Sequence, residues 1–181
     1  MLDWVPNPDH VALYWARDKG LFARRGIAVD LEAPSDPSAP IKLVGVGRVD
    51  LAISYEPELF LAAEKQLPVV AVAAIVPHPL NALLSKKVDA IIAYRNVEAE
   101  QLALEIGRRP LVLPVDGIGA PRYDELVLVA NRDRLTRDAA YAATVRSVAA
   151  AIADGARGAR ADVAEAVALM DRVTEYTTPF L

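Results

Sequence analysis

Two tyrosines and the acids beside them are the residues whose types and spacing could do chemistry. Arg48-Val49-Asp50-Leu51-Ala52-Ile53-Ser54-Tyr55 and Lys87-Val88-Asp89-Ala90-Ile91-Ile92-Ala93-Tyr94 hold a basic residue, Val, Asp, Ile and Tyr in common, at a constant offset of 39 (94 − 55). Each tyrosine offers a flat face for stacking and a hydroxyl for hydrogen bonding. Carboxylates stand close by in the sequence at Glu56, Glu58 and Glu98. Trp4 and Asn7, at the end of a first apolar stretch and in the loop after it, are further candidates for touching a ligand. An anion receptor presents bare helix N-termini and basic groups to its guest, whereas acids stand here at both helix starts. A sulfonate or nitrate would be repelled. An aromatic heterocycle carrying amino donors suits the set, with rings to stack on and Asn or Glu oxygens to accept its hydrogens.

The chemistry that is missing narrows the reading further. The sequence holds no glycine-rich phosphate loop, no GxSxG, no HExxH and no cysteine, and its two histidines are not spaced for a metal. No nucleophile stands beside a base. Binding is favoured over catalysis, and no cofactor or metal is expected.

These residues need elements to hold them. Val49, Leu51 and Ile53 alternate with Asp50, Ala52 and Ser54, the period of a short strand, and Pro57 suits the first turn of a helix through Glu64. A strand, a turn and a helix place Ser54, Tyr55 and Glu56 at the carboxyl end of a strand, where open α/β sheets bind small ligands. Further strands are expected over Met1–Val5, Ile27–Leu31, Leu67–Val76, Asn81–Leu84, Val88–Ala93, Pro110–Val115 and Glu125–Ala130. The unbroken apolar run at Leu67–Val76 reads as a strand of a parallel sheet covered on both faces. Helices are expected over His10–Lys19, with Asp9 as cap, and over Ile41–Val46, Arg95–Ile106, Thr136–Ala153 and Asp162–Val173. Val11, Tyr14 and Trp15 read as core, and Arg24 and Arg25 as a solvated corner. Between Leu84 and Val88 only Ser85-Lys86-Lys87 intervene, too few to cross between parallel strands. Either the connection is unusually tight or a segment is absent there.

At 181 residues and 54% hydrophobic content, with mean hydropathy +0.22, the chain can bury one good core or two small lobes. A net charge of −4 and a pI near 5.2 leave no footprint for nucleic acid. No apolar run approaches the length of about 18 residues that spans a membrane. The opening residues carry no signal peptide, which leaves a cytosolic protein or one whose targeting segment has been removed, and the tail from Thr174 reads as trimmed.

Larger blocks carry a resemblance. LDWVPNPDHVALYWARDKGLFARRGIAVDL, PSDPSAPIKLVGVGRVDLAISYEPEL and LPVVAVAAIVPHPLNALL resemble the first lobe of periplasmic substrate-binding proteins that feed ABC transporters with thiamine pyrimidine precursors. KKVDAIIAYRNVEAEQLAL and APRYDELVLVAN are similar to the segments where that family enters and leaves its second lobe. The W-x-P-N-x-x-H opening and the SYEPE turn are the most specific matches. The resemblance implies an α/β fold of the type II periplasmic binding protein kind, two lobes on a hinge, with the second lobe truncated after Leu84. The lobes it implies are residues 1–84, a remnant at 85–122, and a return to the first lobe at 123–181. It implies an extracytoplasmic binder of formylaminopyrimidine or hydroxymethylpyrimidine that delivers to a transporter permease and does not itself span the membrane. By motif, Trp4, Asn7, Tyr55, Tyr94, Asn96 and Glu98 would touch the ligand, with Glu56 beside them. Another flat heterocycle such as riboflavin is an alternative. A rival is enzymatic, since related fungal proteins make the pyrimidine from pyridoxal phosphate held on a lysine. That chemistry requires a lysine at the end of the third strand and a histidine one turn on, where this chain has Ser54 and Glu58.

Overall fold

The computed structural model describes residues 1–78, 81–84, 91–94 and 98–174, with side chains described for all but 81–84, 91–94, Glu98, Gln101 and Glu105. The chain forms two compact units, one built from residues 1–75 and the described residues from 126 on, the other from residues 76–125.

In the larger unit, Asn7 opens a 3-10 turn at Pro8–His10 that runs straight into α1 (Val11–Asp18). Asn7, and not Asp9, is the cap: its side chain accepts from the Asp9 amide at 2.9 Å. Tyr14 and Trp15 are buried, as their helical spacing predicts. Next come α2 (Ala39–Gly45), β1 (Leu51–Ser54), α3 (Glu56–Glu64) and β2 (Val69–Val76). Tyr55 stands between β1 and α3 in extended conformation, φ −84° and ψ 139°, and Pro57 occupies the first turn of α3. After the smaller unit the chain returns as the strand Leu126–Asn131, followed by helices Arg132–Arg137, Ala139–Ala161 and Val163–Val173.

That returning strand lies in the middle of a three-stranded sheet, between β1 and β2. It pairs antiparallel with β1, Ala52 opposite Val129 and Ile53 opposite Leu128. On its other side Arg132 N donates to Pro68 O at 2.8 Å and Glu125 N to Val76 O at 2.9 Å, residue numbers running in opposite senses as in an antiparallel pair. The hydrogen-bonded neighbours are thus antiparallel where the apolar run at Leu67–Val76 suggested a parallel sheet. An apolar run reports shielding and says nothing of direction, and most of β2 is only half-buried. Helices cover both faces. Ile41, Val44 and Ala62 pack on Ala52, Val127 and Val129, while Tyr141 and Val145 pack on Ala130 from the other side.

Two expected strands do not form. Met1 and Leu2 make strand-like bonds, Met1 N to Leu51 O and Ile53 N to Met1 O at 3.0 Å and Leu2 N to Glu32 O at 2.7 Å, before the chain bends at Asp3. In residues 27–32 the alternation is realised, with Ile27, Val29 and Leu31 half-buried and Ala28, Asp30 and Glu32 exposed, but no ladder is made. Alternation places side chains; a strand also needs a neighbouring edge. A cavity of about 580 Å³ lies there, lined by Met1, Val29, Leu31, Leu51, Tyr141 and Val148 among others.

The long helix Ala139–Ala161 also departs from expectation, running on through Gly155 and Gly158 where the sequence suggested a break after Ala153. A Cβ on Gly155 would lie 2.2 Å from the Ala12 carbonyl oxygen, and one on Gly158 2.2 Å from Trp15 Nε1. The two glycines are the places where α1 lies against this helix. Arg25, read as a solvated corner, instead pairs with Asp154 of the same helix and donates to Leu21 O at 3.0 Å.

In the smaller unit, β3 (Asn81–Leu84), β4 (Ile91–Tyr94) and β5 (Leu113–Pro114) form a sheet in the order β4-β3-β5, with helix α4 (Glu98–Ile106) between β4 and β5 in sequence. The later helices are α5 (Arg132–Arg137), α6 (Ala139–Ala161) and α7 (Val163–Val173), and the returning strand is β6 (Leu126–Asn131). β3 and β4 pair antiparallel, Leu84 opposite Ile91. Antiparallel strands can be joined by a short connection where parallel ones need a long crossover. Residues 85–90, which include Ser85 of the expected junction, lie outside the described residues.

Candidate functional site

The site is assembled where two stretches of the larger unit end together, the bend after Leu2 and the carboxyl end of β1. Asp3 and His10 are buried here, 3% and 0% exposed, and carry the polar connections. His10 Nε2 lies 2.6 Å from Asp3 Oδ1, and the Tyr55 hydroxyl donates to Asp3 Oδ2 at 3.1 Å. The Asn7 backbone N–H donates to His10 Nδ1 at 3.3 Å. A buried carboxylate is costly unless hydrogen-bonded. Here both of its oxygens are partnered, and the side chains involved come from three separate places in the chain.

Around this buried base sit the residues singled out in the sequence. Trp4 is 47% exposed, one residue after Asp3. Tyr55 and Glu56 are half-buried. At the start of α3, Ser54 Oγ donates to Glu58 Oε2 at 2.8 Å, so that the acid of the helix's first turn is fastened to the strand end before it. Asn7 is half-buried and its carboxamide is engaged at both ends, accepting from Asp9 N and donating to Val5 O at 3.2 Å. Its first role is to shape the loop that carries Trp4. The side chains of Tyr94 and Glu98, and all of Asn96, lie outside the described residues; the backbone shows β4 ending on Tyr94 and α4 starting at Glu98. β1 ends one residue short of Tyr55.

Asp3 and His10 were not among the sequence candidates. The seven-residue spacing of an acid and a histidine across a Pro-Asn-Pro turn was the available signal, and it is weak, because nothing in it says that the turn folds back on itself. The 580 Å³ cavity is a different place: none of Trp4, Asn7, Tyr55 or Glu56 lines it. It follows residues 27–32 and has an aromatic and polar lining of its own, Phe22, Tyr141, Arg48, Asp50, Arg134 and Asp138 among them.

The arrangement disfavours nucleophilic catalysis. A histidine acting as general base needs a ring nitrogen directed at a nucleophile, and both nitrogens of His10 are used internally. Ser54 and Glu58, hydrogen-bonded to each other, occupy the strand end and the first turn of the helix after it. Among the described residues no group of three metal-ligating side chains occurs, and no helix is long and apolar enough to cross a membrane.

Known proteins give independent bearings. The sequence model of the NMT1/THI5-like family matches residues 7–87 and 80–166. A thiamine biosynthesis protein of Haemophilus influenzae is 32% identical over 195 aligned positions, covering 75% of this chain and 62% of that protein. The formylaminopyrimidine-binding protein of Halalkalibacterium halodurans is 49% identical over 81 residues, 45% of this chain and 24% of that one. The chain therefore spans less than two thirds of the length of either relative. Fungal synthases of a pyrimidine phosphate are also similar. Among solved structures, the periplasmic aliphatic sulphonate binding protein of Escherichia coli superposes with a TM-score of 0.70 at 12% identity, over 99% of this chain and 75% of that one. At that identity the likeness shows the fold, which is that of periplasmic binding proteins.

Proposed function

This chain belongs to the NMT1/THI5-like family, and from that premise we propose that it is an extracytoplasmic solute-binding protein for a thiamine pyrimidine precursor, formylaminopyrimidine or hydroxymethylpyrimidine, handed on to an ABC importer. The observation that carries the reading is Tyr55 at the carboxyl end of a strand, its hydroxyl fixed by buried Asp3, with the exposed Trp4 next to Asp3 in the chain. Aromatic faces held in place give a flat ring a stacking surface without a large ordering cost on binding. Glu56 and Glu58 in the first turn of α3 offset the positive end of that helix, which favours a guest with amino donors over an anion. A relative that binds formylaminopyrimidine supports the same class of ligand.

The smaller unit is proposed to be the shortened second lobe, with Tyr94, Asn96 and Glu98 as its ligand contacts by motif. The alignment with the Haemophilus protein supports the shortening. Three quarters of 181 residues is about 136, so about 59 of the 195 aligned positions have no counterpart in this chain. The enzymatic reading draws on the fungal synthases, but the Ser54–Glu58 pair speaks against it.

Native mass spectrometry of freshly purified protein tests the proposal. A retained species with the mass of an aminopyrimidine is expected. Absorbance of a lysine-bound pyridoxal would instead establish the enzyme.

A further inference from the structure

The 580 Å³ cavity of the larger unit lies between two stretches of backbone, residues 27–32 and the edge of β1 turned away from β6. Met1 and Leu2 close one end of the gap, and their bonds show what fits into it. Met1 N donates to Leu51 O and Met1 O accepts from Ile53 N, both at 3.0 Å and two residues apart on β1, as in a parallel pair. On the opposite side Leu2 N donates to Glu32 O at 2.7 Å. One extended segment thus bonds to both stretches at once.

Both edges continue past Met1. Alternate residues of a strand turn their N–H and C=O to the same edge, so Leu51 N–H shares the edge of Leu51 C=O, while Glu32 N–H and Asp30 C=O share that of Glu32 C=O. No described residue pairs with these three groups across the gap. The base of the cavity is apolar, with Val145, Val148 and Ile152 of α6 buried there. In its lining the four acids Asp30, Glu32, Asp50 and Asp138 outnumber Arg48, Arg134 and the Met1 ammonium.

We propose that this slot is a docking site for an extended segment of a partner polypeptide, alternating apolar and basic residues, which adds parallel to β1 and to residues 27–32 with its carboxyl end against Met1. Its last residue donates to Asp30 C=O and accepts from Glu32 N–H, and the residue before accepts from Leu51 N–H. Apolar side chains face α6 and basic ones face the acids. Main-chain bonds supply affinity in strand addition, and alternate side chains supply selectivity. At about 3.3 Å per residue, a segment of about four residues lies alongside residues 28–31. None of Trp4, Asn7, Tyr55 or Glu56 lines the slot, so its occupancy does not depend on pyrimidine binding.

Amide exchange of the full chain, followed residue by residue by NMR with acetyl-Val-Lys-Val-Lys-Val-amide, tests the proposal. Saturating peptide is expected to slow exchange of the Leu51 and Glu32 amides by about tenfold or more. An analogue ending in proline cannot donate to Asp30 C=O and is expected to leave both amides unchanged. Replacing the peptide's lysines with glutamates is expected to weaken binding by about tenfold, and the exposed pair Asp30→Lys and Glu32→Lys to reverse that preference. Unchanged exchange at Leu51 and Glu32, equal slowing by the proline analogue, or a peptide-free dimer in which both amides are already protected would overturn it.

Discussion

Asp3 and Tyr55 stand 52 residues apart and share a hydrogen bond, which makes Tyr55 more than a ring at a strand end. Trp4, next to Asp3, is exposed and contributes little to the core. Trp4→Ala is therefore expected to weaken pyrimidine binding by about 1–3 kcal/mol, about 5- to 150-fold, with no change in thermal stability; fluorescence titration and a melting curve check the two halves of that statement. Asp154 gives a prediction in pH. The hydrogen bond from Arg25 lowers its carboxyl below the ordinary value, burial opposes this, and the charges of Arg157, Arg25 and Arg24 add to the lowering. A folded-state value below the unfolded one means stabilisation that is present above the unfolded value and lost as pH falls through the folded one. Asp154→Asn is expected to melt below the wild type at neutral pH and to converge with it in acid, as melting curves against pH would show; a constant gap would contradict the pairing. The side chains easiest to read from sequence were the aromatic ones, because ring and strand-end position suffice to nominate them. Asp3 and His10 escaped notice because their importance comes from burial and from each other, and neither is encoded by residue type.

Elements were legible where a local pattern suffices and illegible where a neighbour decides. The alternation at Val49–Ser54 and Pro57 after it specify the β1, Tyr55, α3 unit, and the structure has that unit. Residues 27–32 carry an equally good alternation but lack the ladder that would complete a strand. Strand direction was likewise invisible, so the β3–β4 hairpin looked like a broken crossover. Glycine in an alanine-rich run lowers helix propensity by about 1 kcal/mol against alanine, so Gly155 and Gly158 weaken the helix past Ala153. Packing of α1 against α6 outweighs that cost. Gly155→Ala, a change that raises propensity, is thus expected to destabilise by about 1–3 kcal/mol, because the Ala12 carbonyl must move; chemical denaturation measures it. Gly158→Ala displaces the Trp15 ring and is expected to quench or shift its fluorescence as well. Stabilisation by either substitution would contradict the contact.

At the scale of the whole molecule, the fold and family were legible through blocks of sequence such as W-x-P-N-x-x-H and SYEPE, and family match and fold likeness agree with them. Periodicity alone would have yielded only an α/β chain. At 12% identity the likeness to a sulphonate-binding protein carries no ligand chemistry, and Glu56 and Glu58 in the first turn of α3 argue against an anion. Ethanesulfonate is expected neither to bind nor to compete with a pyrimidine, and competition in a fluorescence assay would count against the electrostatic argument. The proposed shortening of the second lobe would leave a ligand more open to water, so affinity is expected to be modest, with a Kd above about 1 µM. The most direct test is calorimetric titration of hydroxymethylpyrimidine into the wild type and Tyr55→Ala. Saturable binding that weakens about 5- to 150-fold in the variant is the expected result. No binding by the wild type, or undiminished affinity in Tyr55→Ala, would contradict the claim that a flat pyrimidine rests on this tyrosine.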